Sequence, residues 1–168
     1  MIVIVMGVSG AGKTTVGAAL AQALGCEFLD ADEFHPPENV AKMAAGKPLT
    51  DADRWPWLDR LNGELLSRAA RGTGAVLACS ALKEAYRLRL MTGTGCARLV
   101  HLCGSLEFIR ARMATRKHRY MPASLLESQF STLEAPSGAL EVDAALAVPE
   151  AVGKILAGLA TKGPARRP

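Results

Sequence analysis

The sequence has no C-x-x-C pair: Cys26, Cys79, Cys96 and Cys103 stand far apart. A domain with its own core has little use for a disulfide framework, and zinc needs ligands at tighter spacing. Both are excluded, and the cysteines read as reduced, small and mostly buried, which points to the cytoplasm. His35, His101 and His118 are equally scattered, and neither His35 nor His118 has the spacing of a triad or a metal site. No hydrophobic run is long enough to span a bilayer, and the apolar start Met1–Met6 is too short for a secretion signal, so a soluble chain without a membrane partner is expected. Broad positive charge is missing too. The formal charge is +4, but Lys162, Arg166 and Arg167 in the terminal stretch contribute three of those charges, leaving a nearly neutral body. No nucleic-acid partner is called for.

What is present is apolar material, 49% of 168 residues. That length suits one domain, able to bury roughly 70% of the surface of its unfolded chain. Short apolar runs alternate with helical patterns, the mark of βαβ units and a parallel sheet. Strands are expected at Met1–Met6, Cys26–Leu29, Ala75–Cys79, Arg98–Cys103 and Ala139–Val142. Between them, Val16, Ala19, Leu20, Ala23 and Leu24 recur at helical spacing before Gly25. Further helices are expected from Pro36-Pro37 to about Ala45, over Arg54–Arg71, over Lys83–Met91, from a Ser105 cap to about Arg116, after Pro122, and over Pro149–Leu159. Residues 1–160 read as one domain and 161–168 as a frayed tail.

Gly7-Val8-Ser9-Gly10-Ala11-Gly12-Lys13-Thr14 matches G-x-x-x-x-G-K-[ST] at every fixed position. Glycines let the main chain turn so that successive N–H groups face a polyphosphate, and the helix that follows adds its positive end. Gly7, Ser9, Gly10, Ala11, Gly12, Lys13, Thr14 and Thr15 are therefore candidate ATP contacts. Lys13 would reach the β- and γ-phosphates, and the Thr14 hydroxyl would ligate Mg²⁺. The loop alone does not say whether the phosphoryl group goes to water or to a substrate.

Asp30 and Asp32 end the second expected strand, on the edge where open α/β sheets hold ligands. One carboxylate can support the metal while the other orients or deprotonates an acceptor hydroxyl. The third strand ends in Cys79-Ser80 without an aspartate, which shifts metal support to Asp30. Arg54 opens its expected helix against the dipole preference for acids there, as if awaiting an anion; a surface pairing with Asp51 or Asp53 is the alternative. Lys83 follows strand three on the ligand edge, and could equally be a solvated lysine at a helix start. Arg112, Arg116, Lys117, His118 and Arg119 crowd a hinge before Pro122, where a lid of about 116–122 could close over ATP and bring an arginine to the transferring phosphate.

At these residues the sequence resembles the P-loop gluconate kinases, a branch close to the shikimate kinases. The likeness runs from Ile2 to about Pro149. It is carried by Met6 through Lys13, Phe28-Leu29-Asp30-Ala31-Asp32 with His35-Pro36, and Leu49-Thr50-Asp51-Ala52-Asp53-Arg54 with Pro56-Trp57-Leu58. Cys79-Ser80-Ala81-Leu82-Lys83 with Tyr86-Arg87, and Ser128-Gln129-Phe130 with Leu133-Glu134 and Pro136, continue it. The resemblance implies a three-layer P-loop fold like that of the nucleoside monophosphate kinases, with a parallel sheet of about five strands between helices and a mobile lid. It implies phosphorylation of D-gluconate by ATP with Mg²⁺, usually by a homodimer. By position, Asp32 would face the acceptor hydroxyl and Asp30 the metal. His35, Arg54, Lys83, Arg87 and Gln129 would line the gluconate site together with Asp32. Arg112 and Arg116 would serve the nucleotide and the lid, with Arg116 joining Lys13 and Asp32 in catalysis. Two other readings stay open: a kinase for shikimate or a nucleotide, and a nucleotide-binding regulatory module without transfer chemistry. A shikimate kinase would carry a glycine-rich turn where Ser80-Ala81-Leu82-Lys83 stands, and a regulatory module has no need of Asp32 or Lys83.

Overall fold

Ile2–Met6 forms β1, with all five residues buried, as a β-branched strand covered on both faces should be. Chain order continues through α1 (Lys13–Leu24), β2 (Glu27–Asp30), a 3-10 turn (Ala31–Phe34), α2 (Pro37–Ala44), α3 (Asp51–Arg71), β3 (Ala75–Ala78) and α4 (Glu84–Met91). It ends with β4 (Arg98–Cys103), α5 (Leu106–Ala114), α6 (Ala123–Thr132), β5 (Leu140–Asp143) and α7 (Val148–Thr161). The computed structural model describes residues 1–95, 97–114 and 123–161. Cys96, the expected 116–122 lid with Arg116 and His118, and residues 162–168 of the expected tail lie outside these.

The strands pair in parallel in the order β2-β3-β1-β4-β5. Alternation along β1 sorts its side chains into two cores. Val3 and Val5 join Val16 and Leu20 of α1, Ile109 of α5 and Ile155 of α7 on one face. Ile2, Ile4 and Met6 join Leu58, Leu61 and Leu65 of α3 and Leu90 of α4 on the other. Helices on both faces of a parallel sheet make the three-layer α/β architecture the sequence predicts. Among the described residues no helix is long and apolar enough to cross a membrane.

One element differs from expectation in a way that matters for the site. α3 begins at Asp51, not near Arg54, because Thr50 and Asp53 form a reciprocal capping box. Thr50 Oγ1 accepts from the Asp53 main-chain N–H, and Asp53 returns the bond to the Thr50 N–H, satisfying two otherwise orphaned donors. Asp51 and Asp53 therefore fill the first turn, and Arg54 is not a cation misplaced at a helix start. Asp53 also grips Lys42 of α2 through both carboxylate oxygens. The Lys42 ammonium and the Thr50 hydroxyl hold its carboxyl well below the usual range.

His101 is buried on β4 with its Nδ1 lacking a partner among the described residues. Burial lowers its pKa below 6.5, opposed by nearby Glu141 and reinforced by Arg87. The unfolded chain thus takes up this proton more readily than the folded one. The contribution is harmless above pH 6.5 and costs stability as pH falls below it. The melting temperature is expected to drop between pH 7 and pH 5, and His101→Leu to reduce that slope. A scanning-calorimetry series in which both proteins show the same slope would contradict this assignment.

Candidate active site

The glycine loop leaves β1 at the C-terminal edge of the sheet and enters α1 at Lys13. Gly7, Gly10 and Gly12 have φ of 144°, 86° and 101°, values that side chains resist. Space is also closed at Gly10, where an added Cβ would lie 2.7 Å from Met113 Cγ of α5. Lys13 Nζ donates to Val8 O at 3.1 Å, folding the ammonium across the loop. Thr14 and Thr15 are exposed in the first turn of α1, and Ala11 is buried beneath the loop.

Two side chains from distant elements brace this loop. Gln129 of α6 accepts from the Ser9 main-chain N–H at 2.7 Å and donates to Ser9 Oγ at 3.0 Å. Arg112 of α5 donates to Ala144 O at 2.7 Å and to Ala11 O at 3.4 Å. Its guanidinium stands 3.2 Å from where a Cβ on Gly12 would be. The loop is thereby tied to both α5 and α6.

At the end of β2, Asp30 accepts from Thr14 Oγ1 at 2.9 Å and, through its other oxygen, from the Asp32 N–H at 3.1 Å. The two hard oxygen donors suited to Mg²⁺ are therefore already neighbours. Asp32 is exposed in the 3-10 turn that follows. His35 stacks on Trp57 of α3, with ring centres 4.2 Å apart and planes at 14°. Trp57 is itself anchored by donating to Ala31 O at 2.8 Å. Burial lowers the His35 pKa, Asp32 opposes that and Arg54 adds to it; Asp32, His35 and Arg54 thus share one electrostatic environment.

Beyond His35, Arg54 Nη1 donates to Leu49 O and reaches the Tyr86 hydroxyl at 3.4 Å. Lys83, the residue before α4, donates to both carboxylate oxygens of Asp51 at 2.9 Å. Asp32 and Lys83 thus follow the C-terminal ends of β2 and β3, with His35 close to both Asp32 and Arg54. Arg87 faces elsewhere. Its buried guanidinium donates to Ala81 O at 3.1 Å and Leu82 O at 3.0 Å. It also lines a separate hollow of about 290 Å³ shared with Leu88, Leu99 and Leu159. Those bonds fix the turn after β3, where Ala81 adopts a left-handed φ of 44° and its methyl is buried. Gln129 meets the glycine loop rather than the Arg54–Lys83 group.

Sequence reasoning gave Asp51 only as an alternative partner of Arg54, 3.9 Å away in the structure, and missed Tyr86 and Trp57. The signal was helical spacing. Arg54 and Trp57 are three apart on α3, and Tyr86 lies one turn after Lys83. Asp30 was singled out by its place at the end of the second strand, and the missing aspartate after β3 only shifted the expected metal role toward it. There Cys79 is fully buried, its thiol pushed up to about 12 by burial, which leaves it inert as an acid or nucleophile at neutral pH.

A family model described as an AAA domain matches residues 2–136. The chain is 46% identical to a probable gluconokinase of Xenopus tropicalis, over 88% of each chain. It is 50% identical to a gluconokinase of Gluconobacter oxydans (strain 621H), over 79% of this chain and 75% of that one. The crystal structure of a gluconokinase from Sinorhizobium meliloti 1021 superposes with a TM-score of 0.87 at 46% identity, covering 95% of this chain and 91% of that one. With the glycine loop, the parallel sheet and these likenesses together, the chain belongs to the gluconokinase family of P-loop kinases.

Proposed function

We propose that this chain transfers the γ-phosphoryl group of ATP to D-gluconate, giving ADP and 6-phospho-D-gluconate. The observation that carries the reading is the meeting of a polyphosphate loop with Asp32, Arg54 and Lys83 on one sheet edge, in a chain 50% identical to a gluconokinase.

In this reading the N–H groups of Gly7 through Thr15 grip the phosphates, and Lys13 swings from Val8 O to the β- and γ-oxygens. Arg112 and Arg116 add positive charge on the nucleotide side. Asp32 orients the acceptor hydroxyl and takes its proton as the phosphoryl group moves in line. Arg54 and Lys83 hold the carboxylate end of the substrate, a task suited to a guanidinium fork and an ammonium. His35 completes the gluconate side, while Gln129 braces the glycine loop and Arg87 the turn after β3 from behind it. Thr14 and Asp30 would hold Mg²⁺, whose charge neutralises the β- and γ-phosphate oxygens when bound. Catalysis is then positioning and charge stabilisation, with no covalent enzyme intermediate. The proposal includes a single domain over 1–160, a lid over about 116–122 that excludes water, and a cytoplasmic homodimer. Dimerisation and location are supported by family membership, and the reduced cysteines add support for the cytoplasm.

The test is gluconate-dependent ADP release, screened beside shikimate and nucleoside monophosphates. Lys13→Ala should abolish turnover while circular dichroism stays that of the wild type. Arg54→Ala should raise the KM for gluconate about tenfold or more, the scale of a lost charged hydrogen bond, with little change in the KM for ATP. Turnover of another acceptor in preference to gluconate would overturn the substrate assignment. An unchanged gluconate KM in Arg54→Ala would remove Arg54 from the site.

A further inference from the structure

The donors proposed for the substrate carboxylate already hold a carboxylate. Asp51 accepts from Lys83 Nζ through both oxygens at 2.9 Å and from the Tyr86 hydroxyl. Arg54 Nη1 stands 3.9 Å from the same group. The Arg54 guanidinium and the Lys83 ammonium each lie 5.5 Å from the Tyr86 ring centre. Two cations and a phenol converging on one acid side chain are the donor set that would recognise a sugar acid. Hydrogen bonds from Tyr86 and Lys83 hold the Asp51 carboxyl below its usual range, so it is ionised at neutral pH.

Nothing in the fold requires Asp51 to stay there. Its side chain is 47% exposed, and the capping box that starts α3 is made by Thr50 and Asp53. The carboxylate can rotate into water without disturbing main-chain bonds. As the first residue of α3 it remains beside the positive helix end, which favours an acid in either position. With the acid in place, Arg54 and Lys83 stay close without repelling one another. Replacing one carboxylate by another leaves the charge of the cradle unchanged.

We propose that Asp51 is an internal stand-in for the substrate: it occupies the acid subsite in the unliganded enzyme and is displaced when the carboxylate of gluconate takes its donors. The inference rests on the gluconate reading above. Asp51 is then a specificity-determining residue that raises the concentration of sugar acid needed for entry and prearranges the donors that receive it.

Asp51→Asn weakens the competitor without changing its size. Steady-state ADP release should show the KM for gluconate falling about three- to tenfold, the scale of exposed ion pairs and their hydrogen bonds. The KM for ATP, which binds at the glycine loop, should stay within about twofold of wild type. Trp55 meets the Tyr86 ring edge-on at 5.6 Å, so tryptophan emission provides a binding readout independent of turnover. Gluconate titrated without ATP should give a correspondingly lower Kd in Asp51→Asn. Asp51→Glu, which keeps the charge, should retain the wild-type KM or exceed it. A gluconate KM that is unchanged or raised in Asp51→Asn overturns the proposal and leaves the kinase assignment intact. A wild-type enzyme that releases no ADP with gluconate overturns the substrate reading itself, and this inference with it.

Discussion

A strand buried on both faces can meet polar ligands only at its ends. β1 is such a strand, with Val3 and Val5 facing one core and Ile4 and Met6 the other. The parallel sheet around it aligns the C-terminal ends of β1, β2 and β3, so everything polar that follows those strands emerges along one edge. The glycine loop, Asp30 with Asp32, and the Ser80–Lys83 turn are three consequences of that single constraint. Burial of roughly two dozen aliphatic side chains holds the arrangement; the chemistry sits where burial stops.

Charge is distributed along that edge with a division of labour. Around the glycine loop Lys13, Arg112 and the first turn of α1 come together, and Gln129 braces the loop without adding charge. Beyond it Arg54 and Lys83 share Asp51, while Lys42 is held by Asp53. Thr14 and Asp30, hydrogen-bonded at 2.9 Å, mark the seam between the two.

The strands and most helices were legible because they depend on local pattern: an apolar run with β-branched residues, a 3.6-residue period, a glycine after the last turn. The loop was legible because its geometry demands specific residue types at fixed spacing, and the place of Asp32 because it follows the strand end at Asp30. The start of α3 was misread because Arg54 drew attention as an anomaly, while the reciprocity of Thr50 and Asp53 just before it had already fixed the helix. Arg87 and Gln129 show the other limit. Both were assigned to gluconate by position in the family pattern, yet Arg87 bonds the carbonyls of Ala81 and Leu82 and Gln129 bonds Ser9. Contacts made across 120 residues of sequence leave no periodic trace. The partnership of Asp51 with Lys83 and Tyr86 is of the same kind, visible only once α3 and α4 are side by side.

The central claim is that polyphosphate and sugar acid bind at opposite ends of this one edge. A crystal structure of the full chain with a non-hydrolysable ATP analogue and gluconate tests it most directly. The account predicts the phosphates against the N–H groups of the Gly7–Thr14 loop, the gluconate carboxylate on Arg54 and Lys83, and the terminal hydroxyl at Asp32. Gluconate seated away from Asp32, or an acid group bound at any donors other than Arg54 and Lys83, would contradict it.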